Sequence, residues 1–477
     1  MLFNSFAFLV FFPVAVGVYF IVPHRARRVV LLVSSYLFYM WWRPALAILL
    51  LTSTAVDYWA ALRMSSRASR ARRRPYLLAS LVVNLGLLAT FKYLDFALRS
   101  LGALLAVTPP EFGILLPIGI SFYTFQTIGY SVDVYRGRIQ AERSFVKLAV
   151  FVSFWPQLVA GPIERARHLL PQLDRRVRFR YRRARDGLIR MAWGFFKKVV
   201  IADRLALFVN PVFADPASQP DAVLLLAAYA FVVQIYCDFS GYSDIAIGAA
   251  RVMGIDLMEN FRRPLWWSTS IADFWRRWHI SLTTWLRDYL FFPLQGRSSS
   301  TVRWSRNIFI TFVLCGLWHG AAWTFVVFGA LHGAMIVVER FIAEDIAARS
   351  PKWSARLAHP WTLSGKRLLV FNLVTLSVIF FRAGSLADAW LILRSLADGI
   401  DGAGTAFLGL IENENLILGF AFTLVLAAVE GLLGEESLEA VLARRHHVVR
   451  LTAVALLVAV IFWFGVFNAD EFIYFQF

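Results

Sequence analysis

The 477-residue chain has only two cysteines, Cys237 and Cys315, and both sit inside apolar segments. That excludes a disulfide framework and leaves no metal-ligand spacing. Both read as small core residues, and neither a metal nor a resident cofactor is expected. No cleavable leader is expected either. The first apolar stretch, 2–22, has no basic n-region and no small-residue cleavage site, so it reads as a retained span. No internal repeat is visible, which argues against a transporter built from duplicated halves. Acids are scarce: 31 Asp and Glu against 49 Lys and Arg give a formal net charge of +18. The basic residues lie between apolar runs, where they set membrane orientation, so no nucleic-acid partner is expected.

Apolar residues are abundant instead. Hydrophobic residues make up 59% of the chain and aromatics 16%, with a mean hydropathy of +0.60. Soluble domains average about 45–50% apolar even with glycine counted. The apolar runs recur along the whole length, which excludes a soluble enzyme, a disordered scaffold and a secreted disulfide domain. The chain reads as an integral protein of a lipid bilayer.

A span needs about 20 apolar residues, fewer in hairpins and re-entrant segments. Candidate spans are 2–22, 29–42, 45–62, 76–100, 114–135, 187–210, 222–250, 307–321, 322–340, 367–382, 414–434 and 448–468. They predict one all-α polytopic domain over 1–477 with about 11–12 transmembrane helices. Its parts are peripheral spans in 1–113, a motif-bearing core in 114–340 and C-terminal spans in 367–477. Segments 307–321 and 322–340 are short and meet at Trp318-His319-Gly320-Ala321-Ala322-Trp323, which predicts a hairpin turning within the membrane. Loops after the first, third and fifth spans are rich in arginine, as is 165–185, whereas 101–113 and 211–221 have no lysine or arginine. This alternation places the arginine loops in the cytoplasm and both termini outside.

Two regions do not fit simple spanning. Residues 144–173 contain Trp155-Pro156-Gln157-Leu158-Val159-Ala160-Gly161-Pro162, too broken for a regular helix. Residues 262–296 are rich in arginine and tryptophan. A helical wheel puts Trp275, Trp278, Leu282, Trp285 and Tyr289 on one face and Arg276, Arg277, Thr283, Thr284 and Arg287 on the other. That pattern predicts an interfacial amphipathic helix.

Within these segments a few residues carry chemistry. His319 lies in an apolar stretch, where an imidazole is costly without water, a partner or a substrate. Gly316 and Gly320 are spaced for close helix approach and would leave room for a ligand beside the ring. A histidine hydrogen-bonded across a helix pair is the bland alternative. His279 sits at the border of the amphipathic stripe, a place where histidines often have no role. Tyr236-Cys237-Asp238-Phe239-Ser240-Gly241-Tyr242-Ser243-Asp244 puts two carboxylates and several hydroxyls into an apolar span. They suit orienting a histidine, binding a coupling ion or tying helices together. The spacing sets Asp238 and Asp244 on different faces, against a paired-carboxylate mechanism. Arg262, Arg263, Arg276 and Arg277 suit a phosphate-bearing donor, since guanidinium forks pair with phosphate; plain inside-positive charge explains them equally well.

Trp278-His279 followed some forty residues later by Trp318-His319-Gly320 resembles the membrane-bound O-acyltransferase family, in its bacterial alginate O-acetyltransferase branch. Pro117 to Gln126, Leu158 to Ile163, Asp238 to Asp244, Asn260-Phe261 and the closing Phe472 to Phe477 match in order, from the first span to the last residue. The resemblance implies tilted helices around a funnel or tunnel, with re-entrant and interfacial helices. It makes His319 the catalytic residue and His279 the family's second conserved position. Trp278, Trp318, Asp238 and Ser240 join the four arginines as candidate donor- or substrate-binding residues. The implied reaction moves an acetyl group from a cytoplasmic thioester, acetyl-CoA, to an extracellular polysaccharide. The implied setting is the bacterial inner membrane, the N-terminus periplasmic, with esterase-like periplasmic partners completing transfer. Two alternatives stay open: D-alanyl transfer from a carrier protein to teichoic acid, and a transporter using His319 and Asp238 as proton-coupling groups.

Overall fold

A backbone surrounded by hydrocarbon must satisfy every N–H and C=O internally, which leaves helices or a closed barrel. The computed structural model takes the first solution: among the described residues all regular elements are helical. It describes residues 1–467 except 111, 160, 263, 350–358, 399–403 and 405–412. Arg263 and the closing Phe472 to Phe477 therefore lie outside the described residues. Among the described residues, seven helices are long and apolar enough to cross a membrane: Pro44–Ser65, Arg70–Leu105, Asp221–Val252, Trp323–Ala343, Trp361–Arg382, Glu414–Leu433 and His447–Phe464. Phe6–Ile21 is apolar but shorter. His447–Phe464 buries none of its residues against the protein while keeping a mean hydropathy of 2.1, as a helix facing lipid does. This is an all-α, multi-pass membrane protein. The other expected spans are met by shorter or interrupted helices, among them Arg27–Met40, Ile120–Tyr135 and Thr301–His319.

The chain forms two compact units, Met1–Ala192 with Tyr242–Glu259, and Trp193–Gly241 with Asn260–Phe477. In the first unit a buried polar knot joins helices Ala47–Ser65, Arg70–Leu88 and Ile120–Tyr135. The Asp57 carboxylate accepts from Ser80, from Ser131 at 2.8 Å and from Asn84 at 2.9 Å. Asp244 accepts from Arg190 at 2.9 Å in the same unit. As expected, 144–173 is broken: Phe145–Ser153 is followed by the single turn Trp155–Leu158, because prolines 156 and 162 cannot donate.

The second unit contains the predicted hairpin, Thr301–His319 and Trp323–Arg349, turning at Gly320 to Ala322. Its close approach rests on Gly316 and Gly329. A Cβ on Gly316 would collide with the Phe325 carbonyl, and one on Gly329 with that of Phe312. The room that Gly316 and Gly320 were expected to leave for a ligand is occupied by Phe325, whose backbone fills the first position and ring the second. Helix Asp221–Val252 presents Asp238 to Lys198 at 2.7 Å, and Lys198 also meets Asp203 at 2.7 Å. Lys198 and its neighbour Lys197 are both buried, on a π-helical stretch, Phe196–Ala202, that is buried along its whole length. Lys197 donates to Ser240 at 2.9 Å.

Residues 262–296 depart from the single amphipathic helix expected. Helix Ile271–Arg277 ends at Trp278, His279 takes a left-handed conformation (φ 43°, ψ 53°), and a new helix runs Ile280–Leu286. The tryptophan face points into protein: Trp275, Trp278 and Trp285 are all buried. A wheel assumes an unbroken helix, and no proline or glycine announces this break.

Three variants test this packing and pairing. Gly329→Val, which forces the hairpin apart, should destabilise the detergent-solubilised protein by about 1–3 kcal/mol or more. Gly17→Ala, with no atom within 4 Å of the added carbon, should leave the melting temperature nearly unchanged. Lys198→Met strands two buried carboxylates and should cost about 3–5 kcal/mol. A wild-type melting temperature in either destabilising variant would refute the packing or the ion-pair account respectively.

Candidate active site

The break at His279 is what builds the site. Residues 260–262 run alongside 277–280 and supply the missing backbone partners: Arg262 N–H donates to the Arg277 carbonyl at 3.0 Å, and Ile280 N–H to that of Asn260 at 2.9 Å. The Asn260 side chain completes the joint. Its Oδ1 accepts from Ser281 Oγ at 2.9 Å and contacts His279 Nδ1 at 3.1 Å. An amide oxygen only accepts, so Nδ1 carries the proton and a neutral His279 presents Nε2 as an acceptor. The ring, expected at the border of the apolar stripe, is fully buried.

His319 is the last residue of helix Thr301–His319, and Gly320 ends it in extended conformation. The two imidazole centroids lie 6.3 Å apart. Trp318 spans them, 5.6 Å from the His279 ring and 5.0 Å from that of His319. Phe239 stands edge-on to His279 at 4.6 Å. Phe381 and Phe328 pack on His319 at 5.3 and 6.1 Å, and Cys315 Sγ lies 3.9 Å from its Nε2. A small chamber of about 30 Å³ opens beside His319, walled by Ile235, Trp278, Phe328, His332, Val378 and Phe381. A second, almost wholly apolar cavity of about 220 Å³ shares Val232, Leu265, Phe274 and Val374 with it and has Arg367 in its lining. A third, of about 290 Å³, reaches Cys315 from Trp275, Arg287 and Trp304. Two imidazoles with apolar walls and cavities nearby can move a proton while keeping bulk water away.

Of the other expected residues, Trp278 and Trp318 join the histidines. Arg262 and Arg276 are exposed and Arg277 is half-buried; Arg276 and Arg277 share Asp273 at 3.4 and 3.3 Å. They sit on the segment entering His279. Asp238 and Ser240 are engaged by Lys198 and Lys197, while Phe239 between them meets His279. Consecutive helical residues lie about 100° apart, so one face cannot present all three. Sequence reasoning missed Asn260 as the partner of His279, and His332 as a buried histidine in the same chamber. The signal for His332 was available, since it too is an imidazole within an apolar span.

Comparison with known proteins agrees with this architecture. The model of MBOAT, the membrane-bound O-acyltransferase family, matches residues 32–363. The chain is 40% identical to the probable alginate O-acetylase AlgI of Pseudomonas aeruginosa, over 90% of this chain and 80% of that protein. It is 34% identical to the peptidoglycan O-acetyltransferase of Helicobacter pylori, over 87% and 83% of the two chains. With the teichoic acid D-alanyltransferase of Bacillus subtilis it shares 27% identity over 57% of this chain and 70% of the relative. Helical architecture, facing histidines and sequence thus converge: the chain belongs to the membrane-bound O-acyltransferase family and is an O-acyltransferase.

Proposed function

We propose that the protein moves an acetyl group from acetyl-CoA on the cytoplasmic side to an extracellular polysaccharide of the alginate type, directly or through a periplasmic esterase-like partner. The observation that carries this is the pair of imidazoles 6.3 Å apart beside an apolar chamber, in a chain 40% identical to an alginate O-acetylase. His319 acts as general base. Its neutral ring takes the proton of the attacking hydroxyl as oxygen bonds to the thioester carbonyl; the C–S bond breaks, and the thiolate leaves and recovers that proton. General-base help of this kind is worth about 10²–10⁴ in rate. A chamber walled by aromatic rings protects the thioester from hydrolysis.

His279, its Nδ1–H held by Asn260, offers Nε2 to a donor N–H such as an amide of the thioester's arm, with Trp278 and Trp318 alongside. Arg262, Arg276 and Arg277, with Arg263 in the same run, supply guanidinium groups for the donor's phosphates. Asp238 and Ser240, held by buried lysines, support the site from behind. The arginine loops face the cytoplasm of an inner membrane and both termini the periplasm, which brings donor and acceptor to opposite ends of the same site.

His319→Ala should abolish polymer acetylation with protein level and membrane insertion intact; wild-type polymer acetate in that variant would sink the catalytic assignment. His279→Asn keeps an amide near Asn260 but loses the acceptor edge. Measured in membranes with acetyl-CoA varied and partner proteins supplied, it should raise KM for the donor and keep measurable kcat. A change in kcat alone would instead place His279 in the transition state. Orientation has its own check. Cysteines introduced in 63–74 should resist an impermeant thiol reagent in intact spheroplasts and those in 211–221 should react; the reverse pattern overturns the topology.

A further inference from the structure

Helix Ile271–Arg277 delivers the chain to His279, so whatever holds that helix sets where His279 stands. Helix Trp323–Arg349 holds it at two points. At its start, Glu339 accepts the main-chain N–H groups of Ile271 and Ala272. One turn on, Trp275 Nε1–H donates to His332 Nδ1 at 3.1 Å. An indole only donates, so Nδ1 of His332 is the acceptor and the proton of the neutral ring sits on Nε2. That Nε2–H donates to Ser377 Oγ at 2.9 Å, and the Ser377 hydroxyl donates in turn to the Val374 carbonyl at 2.7 Å. Every donor in this chain points the same way, from the His279-bearing segment through His332 to helix Pro360–Arg382.

His332 is fully buried and lines the chamber that also holds His319. Phe328, one turn earlier on the same helix, lies 4.6 Å from the His332 ring and 6.1 Å from that of His319. The segment bearing His279 and the wall behind His319 are therefore fastened to one imidazole. We propose that His332 is a positioning residue for acyl transfer: its bonds to Trp275 and Ser377 fix the separation of His279 from His319. This rests on His319 being the catalytic base, and the experiment separates the two claims. A reacting group displaced by about 1 Å can cost about 10²-fold in rate, so loosening this fastening should appear in kcat.

The test uses the full chain in membranes, with acetyl-CoA as donor, alginate as acceptor, partner proteins supplied, and His319→Ala as reference. Trp275→Phe keeps an aromatic ring against Phe312, 5.0 Å away, and removes the Nε1–H donor. It and His332→Leu should each lower kcat about 10-fold or more with donor KM little changed, and the double variant should be no worse than His332→Leu, because both break one bond. His332→Asn places an amide oxygen where Nδ1 stands, keeping the Trp275 bond and losing that to Ser377, and should recover part of the kcat that His332→Leu loses. Wild-type kcat in Trp275→Phe, multiplicative losses in the double variant, or His332→Asn as impaired as His332→Leu would each overturn the proposal. Should His332→Leu fail to fold, Trp275→Phe and His332→Asn still decide it. An active His319→Ala would remove the base assignment itself, whatever the His332 variants do.

Discussion

The helix that enters His279 and the helix that leaves it cannot be one helix, and the architecture around the histidines depends on how that interruption is satisfied. Each broken turn in an apolar interior exposes N–H and C=O groups whose desolvation costs roughly 1–3 kcal/mol when no partner is found. Asn260 to Arg262 meet that requirement with two main-chain bonds, and the Asn260 amide meets His279 and Ser281. A left-handed histidine is itself strained, since a side chain with a Cβ rarely adopts φ near +43°. The strain is tolerated because the surrounding bonds leave the ring no other place. In return the ring faces His319 across 6.3 Å rather than lying along an amphipathic surface.

The same rule sorts the buried ions. Lys198 with Asp203 and Asp238, and Arg190 with Asp244, are paired within their own units. Charge is thus spent on holding helices, and the described atoms around the histidines are mostly aromatic and aliphatic. A neutral imidazole is the polar group that such walls accept most readily, because it needs partners but no counter-ion. The chemistry assigned to His319 requires that neutral form.

Much of this was legible beforehand. Helices, hairpin and membrane character follow from apolar run lengths, and His319 stands out as an imidazole in the apolar stretch Leu314 to Gly320, although a hydrogen bond across a helix pair explained it equally well. The order of short motifs identified the family that the comparisons then established. What periodicity could not show was the break at Trp278 and His279. A wheel records which residues share a face if the helix continues, and the break comes from tertiary pairing with Asn260 to Arg262, about 17 residues away along the chain. Asp238 and Ser240 were named because they are polar residues of a motif within an apolar span. Their motif does touch the site, but through Phe239, and only the position of Lys197 and Lys198 on a π-helical stretch shows which way the acids turn.

Close packing explains why so few polar contacts suffice to set the geometry. Gly316 and Gly329 let the hairpin helices meet backbone to backbone, so Phe325 fills the space beside Gly320 and Phe328 is pressed toward His319. A rigid contact of that kind transmits displacement along the helix with little loss. Helix Trp323–Arg349 is thereby registered to His319 at one end of the Phe328 to Glu339 segment. At the other it is registered to the helix entering His279, through Glu339 and Trp275. Two imidazole rings on separate segments thus share one reference element. Their spacing is set by packing at one ring and by directed hydrogen bonds at the other, so an error in either would be felt as a change in the distance between them.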